Sequence, residues 1–250
     1  MTRIALVTAI AAAGVDDDLA PLLDACASAG LIAQVRAWDD PTVAWGRFDA
    51  AILRSPWDYV PRLREFLAWS TRVSAQTRLI NPLPVVRWNT DKHYLADLAA
   101  RGVPIVPTLF VEPDMEPLPT LQAFLAAHGD AAEFVVKPAV GAGSKDAQRY
   151  ARTQEFAAAN HLARLLDADR SAMLQPYQAS VDEHGETALM YFAGEFSHAI
   201  RKGALLQPDT AATNHLFAAE ATAARLPSQA ELALADRVMA AARDALRLDH

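Results

Sequence analysis

Two lysines and a glycine-bearing loop carry the most chemistry in this chain. Residues 133–146 read Glu-Phe-Val-Val-Lys-Pro-Ala-Val-Gly-Ala-Gly-Ser-Lys-Asp. Phe134 to Val136 predict a short strand that fixes Lys137, and Pro138, which lacks an N–H, should stop its ladder. The loop Gly141-Ala142-Gly143-Ser144 is poor in side chains, so its backbone N–H groups can approach a ligand closely. A fixed ammonium beside such a loop suits the phosphates of a nucleotide. Taken alone, the segment reads equally well as a strand ending in a glycine turn with a surface lysine.

The second lysine closes the segment Asn81-Pro82-Leu83-Pro84-Val85-Val86-Arg87-Trp88-Asn89-Thr90-Asp91-Lys92. Asn89 or Thr90 can cap a helix with Asp91 in its first turn. Leu95, Leu98 and Ala99 supply an apolar stripe, Gly102 ends the helix, and Pro104 prevents its resumption. A third segment, Arg54-Ser55-Pro56-Trp57-Asp58-Tyr59, leaves a predicted strand at its carboxyl end. Arg54 suits a carboxylate and Asp58 an amine, as in a zwitterionic amino-acid-like ligand. A local Arg–Asp pair in an aromatic turn is the competing account.

The order Asn-Pro, Asn-x-Asp-Lys, Gly-Val-Pro-x-x-Pro-Thr and Val-Val-Lys-Pro with a glycine loop resembles the ATP-grasp superfamily of carboxylate–amine ligases. The motifs span roughly residues 80–205. The resemblance implies that Lys92 and Lys137 contact the α- and β-phosphates of ATP and that Gly141, Gly143 and Ser144 form the phosphate lid. Lys145 departs from the small residue common in such loops, so it adds a charge there or points to solvent. Gln175, Pro176 and Tyr177 fall on the strand whose backbone recognises adenine in the family. Of Asp182, Glu183 and Glu186, one should accept from the ribose hydroxyls. Glu186 fits best, and a solvated acidic loop is the alternative.

Phe196-Ser197-His198-Ala199-Ile200-Arg201-Lys202 resembles the second hairpin strand of small-molecule ATP-grasp ligases. Strict alternation would put Ser197, Ala199 and Arg201 on one face and His198, Ile200 and Lys202 on the other. A cation here, Lys202 before Arg201, would orient the acyl phosphate or the substrate carboxylate. His198 reads as well as a packed histidine as a catalytic one. Arg54, Ser55, Trp57 and Asp58 make the substrate-binding set, and this stretch also resembles the cycloserine synthetase-like branch, which closes an amino-acid derivative into a ring using ATP.

The elements that must position these groups fall into three parts. Residues 1–85 alternate strand and helix: strands at Arg3–Ala9, Ile32–Trp38, Ala50–Arg54 and Leu79-Ile80, with helices over Asp18–Ala29 and from Pro61. This predicts a small doubly wound, substrate-binding α/β domain of the pre-ATP-grasp kind. Residues 86–170 are expected to be an α+β lid subdomain, with a strand at Ile105–Val111, a loop over Glu112–Pro119, a helix capped by Thr120, and a helix over Gln154–Ala168. Residues 171–250 are expected to form the second α+β subdomain clasping ATP. It should hold a strand at Ala172–Gln175, a hairpin, an irregular stretch over 203–226, and a helix from the capping box Ser228–Glu231 to about Leu246.

Bulk properties fit an enzyme acting on small molecules. The chain has 250 residues, enough to bury a large core, and its net charge of −7 argues against a nucleic-acid surface. No apolar run reaches membrane-spanning length. The start, Met-Thr-Arg-Ile-Ala-Leu-Val, leads into Gly14 and Asp16-Asp17-Asp18 and so reads as a buried strand rather than a signal segment. The single cysteine, Cys26, gives no internal disulfide and no cysteine-based zinc site, and a reducing cytoplasm is the default. A homodimer is consistent with the superfamily.

The expected activity is an ADP-forming ligase that uses ATP and Mg2+ to activate a carboxylate for attack by nitrogen. Alternatives are a dipeptide or D-alanine–D-alanine-like ligase, or a non-catalytic ATP-binding protein. A dinucleotide oxidoreductase is disfavoured, because the first strand leads into Ala11-Ala12-Ala13-Gly14 rather than a Gly-x-Gly-x-x-Gly loop. The resemblance places the magnesium-holding carboxylates beyond His250, with Asp249 too early to be one of them. Either the sequence is a shortened piece or the chain lacks the metal cradle. The apolar face of the last helix, which needs a sheet beneath it, favours the first.

Overall fold

The computed structural model describes residues 1–207 and 221–248. The chain separates into two compact units, Met1–Thr90 and Asp91–His250.

The first unit runs β1 (Arg3–Thr8), α1 (Leu19–Ser28), β2 (Ile32–Ala37), β3 (Ala50–Ser55), α2 (Leu63–Ser74), β4 (Arg78–Ile80) and α3 (Leu83–Asn89). Its four strands are parallel in the order β2-β1-β3-β4. β1 is central, and Ala5, Leu6 and Val7 are fully buried, as a parallel strand covered on both faces requires. The chain turns to opposite sides of β1 to reach β2 and β3, so a crevice is expected beyond the carboxyl ends of β1 and β3. There the Ser55 hydroxyl donates to Thr8 Oγ1 at 3.1 Å. Phe66 and Trp69 of α2 pack with Trp38, which meets Phe66 edge-on at a centroid distance of 5.4 Å.

Neither Asn89 nor Thr90 opens a helix. Residues 83–89 are themselves helical, started by Pro84 in the first turn, whose fixed φ is pre-set for a helix. Thr90 follows their C-terminal end, and its hydroxyl donates back to the Val86 carbonyl at 2.9 Å.

The second unit holds α4 (Tyr94–Ala100), β5 (Leu109–Val111), α5 (Pro117–Ala127), β6 (Glu133–Pro138), β7 (Gln148–Ala151), α6 (Glu155–Asp167) and β8 (Ala172–Pro176). It continues with α7 (Ser180–His184), β9 (Glu186–Phe192), β10 (Glu195–Lys202), β11 (Thr222–Arg225) and α8 (Gln229–Leu246). One antiparallel sheet has the order β5-β8-β6-β7 and the other β11-β10-β9. β8, grouped by sequence with the C-terminal part, thus lies between β5 and β6. Phe134, Val136, Tyr150 and Leu174 from the first sheet form one buried cluster with Leu121 and Phe124 of α5 and Leu162 of α6.

Several expected boundaries shift for local reasons. The strand predicted over Ile105–Val111 shrinks to Leu109–Val111, since Pro104 and Pro107 offer no ladder N–H. The helix predicted after Thr120 starts at Pro117, so Thr120 lies inside it. Pro138 does not end β6 on both sides: pairing with β7 stops at Val136, while pairing with β8 runs through Pro138 opposite Ala172. Residues 222–225, expected to be irregular, form β11; residues 208–220 of that stretch, and Asp249, lie outside the described residues. The capping box forms as expected, with Ser228 Oγ accepting from the Glu231 N–H.

Candidate active site

Strand alternation builds the floor of a cleft in the second unit. Phe134 and Val136 turn into the core cluster, so Val135 and Lys137 face the other way. In β8 the same rule turns Leu174 inward and Gln175, opposite Val135, toward the cleft. The cleft holds about 480 Å3 and is lined by Lys92, Lys137, the glycine loop and Gln175–Gln178, with Glu186, Lys202 and Leu206 among its other walls.

The glycine loop folds back over Lys92. The Lys92 ammonium donates to the Gly141 carbonyl at 2.7 Å and to Ala139 O at 3.3 Å, and the Lys92 N–H also donates to Ala139 O. Gly143 (φ 60°), Ser144 (φ 58°) and Asp146 (φ 56°) all take the left-handed conformation. Two non-glycine residues held there need anchoring, and Arg170 supplies it with an ion pair to Asp146 at 2.7 Å. Lys145 lines the cleft, so its departure from the family pattern adds a charge there.

The electrostatics of this cleft call for an anion. Burial lowers the Lys92 pKa to about 8, helped by repulsion from Lys137 and opposed by Asp91. Burial also lowers that of Lys137, against the pull of Glu186. Two ammonium groups pushed toward neutrality in one cleft are stabilised by a polyanionic ligand.

The other expected nucleotide residues divide. Gln175, Pro176, Tyr177 and Glu186 line the cleft. The Gln175 side chain is committed elsewhere, since its amide donates to Thr108 Oγ1 at 2.8 Å. Glu186 stands directly opposite Lys202 across the β9–β10 ladder. Glu183 points its carboxylate to solvent. Arg201 does not line the cleft; it donates to the carbonyls of His184 (2.6 Å) and Glu183 (3.1 Å) and so caps the end of α7. Gly185 joins α7 to β9 at φ 69°, with the Lys202 carbonyl so near that a Cβ would sit 2.2 Å from it. The expected alternation in β10 is broken by a register shift between Phe196 and His198, and His198 is exposed, with Nδ1 3.0 Å from Ser197 Oγ.

Beside Lys92, His93 bridges two carboxylates: Nδ1 to Asp91 at 2.6 Å and Nε2 to Glu112 at 3.0 Å. Burial disfavours the charged ring, but the hydrogen bonds to Asp91 and Glu112 outweigh it and raise the His93 pKa. Ser171 donates to the same Glu112 at 2.5 Å. The bridge links the residue next to Lys92 to the strands behind it. Sequence gave no sign of it, because Glu112 reads as an ordinary acidic loop residue.

In the first unit the substrate set is placed at the carboxyl end of β3. Arg54 pairs with Asp16 (2.7 Å) and Asp18 (2.5 Å), not with Asp58. Asp58 instead accepts from Trp38 Nε1 at 2.8 Å and pairs with Arg62 at 3.1 Å. Ser55 is fully buried against Thr8, and Trp57 is half-buried. Asp16 Oδ2 and Arg54 Nε are buried with no hydrogen-bond partner among the described residues.

Among the described residues no three of His, Cys, Asp and Glu converge as metal ligands, and no helix is long and apolar enough to cross a membrane.

Comparison with known proteins agrees with this architecture. Residues 4–81 match the family described as D-cycloserine synthetase DcsG, N-terminal domain. The cycloserine biosynthesis protein DcsG of Streptomyces lavendulae is 49% identical over 249 residues, covering 100% of this chain and 83% of that protein. The crystal structure of D-cycloserine synthetase DcsG superposes with a TM-score of 0.90 at 48% identity, over 99% of this chain and 82% of that one. A RimK domain ATP-grasp protein from Sphaerobacter thermophilus shares the fold alone, with a TM-score of 0.65 at 15% identity over 96% of this chain and 81% of that one. The chain belongs to the D-cycloserine synthetase DcsG family, within the ATP-grasp ligases.

Proposed function

We propose that this chain is an ATP-dependent, ADP-forming carboxylate–amine ligase that closes an amino-acid derivative into a ring. The observation that carries the nucleotide assignment is the pair Lys92 and Lys137, both depressed by burial in one cleft beneath a glycine loop. In this account Lys92 and Lys137 hold the α- and β-phosphates, Gly141, Gly143 and Ser144 cover them, and the wall at Gln175, Pro176 and Tyr177 takes the adenine. Glu186 receives the ribose and Lys202 orients the activated carboxylate, while Arg201 and Glu183 act as structural supports of α7.

The chemistry is γ-phosphoryl transfer to the substrate carboxylate, then attack by a nitrogen of the same molecule on the acyl carbon, with phosphate leaving. The protein contributes positioning, charge neutralisation and exclusion of water. ATP supplies the phosphoryl group and Mg2+ neutralises its phosphates; Glu186 is the carboxylate that the described lining residues offer, and we route no step through the metal. Residues 1–85 serve the substrate, 86–170 the lid and 171–250 the remaining ATP-clasping part. Arg54 takes the substrate carboxylate, with Ser55, Trp57 and Asp58 shaping that loop, and the unpartnered Asp16 Oδ2 supports a polar ligand there. The cytoplasm is the compartment that supplies ATP.

Ring closure is preferred to dipeptide formation because identity to the cycloserine relatives is near 50% over the whole chain. A coupled assay of ADP release from MgATP tests the proposal against amino acids, dipeptides and O-substituted serines. Release with one O-substituted serine and no added amine is expected. Release only when a second amino acid is supplied would favour the dipeptide ligase, and no release with any acceptor would favour a non-catalytic protein.

A further inference from the structure

The base end of the cleft is built around Arg149 of β7, a residue with no role in the account so far. It stands opposite Val135 in the β6–β7 ladder, two residues along β6 from Lys137. At about 3.4 Å per residue, that places it roughly 7 Å from the phosphate end. Its side chain is only 6% exposed. The guanidinium lies 3.6 Å over the Tyr177 ring. Nε donates to Glu133 at 2.9 Å, NH2 binds the second oxygen of the same carboxylate, and NH1 donates to Asp182 at 3.0 Å. NH1 also reaches the Leu206 carbonyl at 3.5 Å. Tyr177 closes the circuit, its hydroxyl donating to Asp182 at 2.5 Å and its backbone N–H to Glu133 O at 2.9 Å.

One buried side chain therefore ties β6, the end of β8, α7 and the segment at Leu206 together, and Tyr177, Val181 and Leu206 from these segments line the cleft. We propose that Arg149 is a positioning residue for the nucleotide base, clamping Tyr177 and α7 into the wall that the base packs against. The inference rests on the nucleotide reading of the cleft. A planar guanidinium is required: it forks onto Glu133, stacks on Tyr177 and still reaches Asp182, which a lysine ammonium cannot do at once. The clamp acts at the base end, so it should leave triphosphate recognition by Lys92 and Lys137 intact.

The test compares binding of ATP and of inorganic tripolyphosphate by calorimetry, on wild type, Arg149→Lys, Asp182→Asn and Lys137→Ala. Arg149→Lys should weaken ATP about tenfold, the scale of one lost cation–π or charge-assisted contact, and leave tripolyphosphate within about twofold. Asp182 is partly exposed, so Asp182→Asn breaks one arm of the clamp without threatening the fold, and it should shift in the same direction by a smaller factor. In turnover the Arg149 variant should raise KM for ATP with kcat nearly kept. Unchanged ATP affinity in both variants, or equal loss for ATP and tripolyphosphate, overturns the proposal. If wild type binds neither ligand, or Lys137→Ala weakens neither, the nucleotide reading itself fails, and that result is distinct from failure of the clamp.

Discussion

The Lys92 ammonium sits 2.7 Å from the carbonyl of Gly141, 49 residues later in the chain. One contact thus joins the two motifs that the sequence presents separately. A Cβ at Gly141 would meet Pro138 Cγ at 3.0 Å, so a side chain there would crowd the proline ahead of the loop. Lysine, proline and glycine are held as a set, and the loop lies over the ammonium rather than beside it.

The depressed pKa of Lys92 makes nucleotide binding pH-dependent. In the free protein Lys92 loses its proton as pH rises through about 8, and the phosphates need the charged form. KM for ATP is therefore expected to rise above that pH, by at most about tenfold per pH unit for one proton. Lys92→Arg, which stays charged, should give a flat profile over the same range. A flat wild-type profile would show that Lys92 does not meet the phosphates.

His93 predicts a pH effect of the opposite origin on stability. Its folded pKa is raised above 6.5, so the stability it contributes is fully present below 6.5 and is lost as pH rises through the raised value. His93→Gln should lower the melting temperature at pH 6 and converge with wild type at alkaline pH. It should also raise KM for ATP, since the bridge to Asp91 and Glu112 holds the residue beside Lys92. Parallel melting curves at all pH values would remove the imidazolium bridge from the account.

Gly185→Ala tests the joint between α7 and β9. The added Cβ meets the Lys202 carbonyl at 2.2 Å, and φ is 69°. A loss of about 1–3 kcal/mol is expected in chemical denaturation. Because Lys202 is the residue displaced, kcat should fall more than KM for ATP rises. A variant with wild-type stability would mean that this close approach relaxes freely.

Arg54→Gln addresses the other unit. It breaks the ion pairs to Asp16 and Asp18 and removes the proposed carboxylate partner. KM for the amino-acid substrate should rise about tenfold or more, the scale of a lost charge-assisted bond, with KM for ATP unchanged. Steady-state kinetics with each substrate varied in turn decide it, and equal changes in both constants would argue for a structural role alone.

Much of this architecture was legible because it is local. A β-branched run ending at Lys137, alternation within β6, Gly102 after α4 and the Ser228–Glu231 box are patterns of a few neighbouring residues. What escaped was set by long-range pairing or by short elements. α7 has only five residues, too few to show a period, and it decides where Arg201 points. Arg54 and Asp58 are four apart and of opposite sign, yet each finds a partner elsewhere, Arg54 across to Asp16 and Asp58 to Trp38. Arg149 gave no signal, because its partners lie 16, 28, 33 and 57 residues away and nothing in their spacing marks a cluster.

The central claim, activation of a carboxylate by ATP, is tested most directly with substrate carrying 18O in its carboxylate. The substrate is the acceptor that supports ADP release, and the inorganic phosphate is analysed by mass. One labelled oxygen transferred to each phosphate is the predicted result. Unlabelled phosphate accompanying ADP, as water attack on ATP would give, or AMP and pyrophosphate as the products, would contradict it.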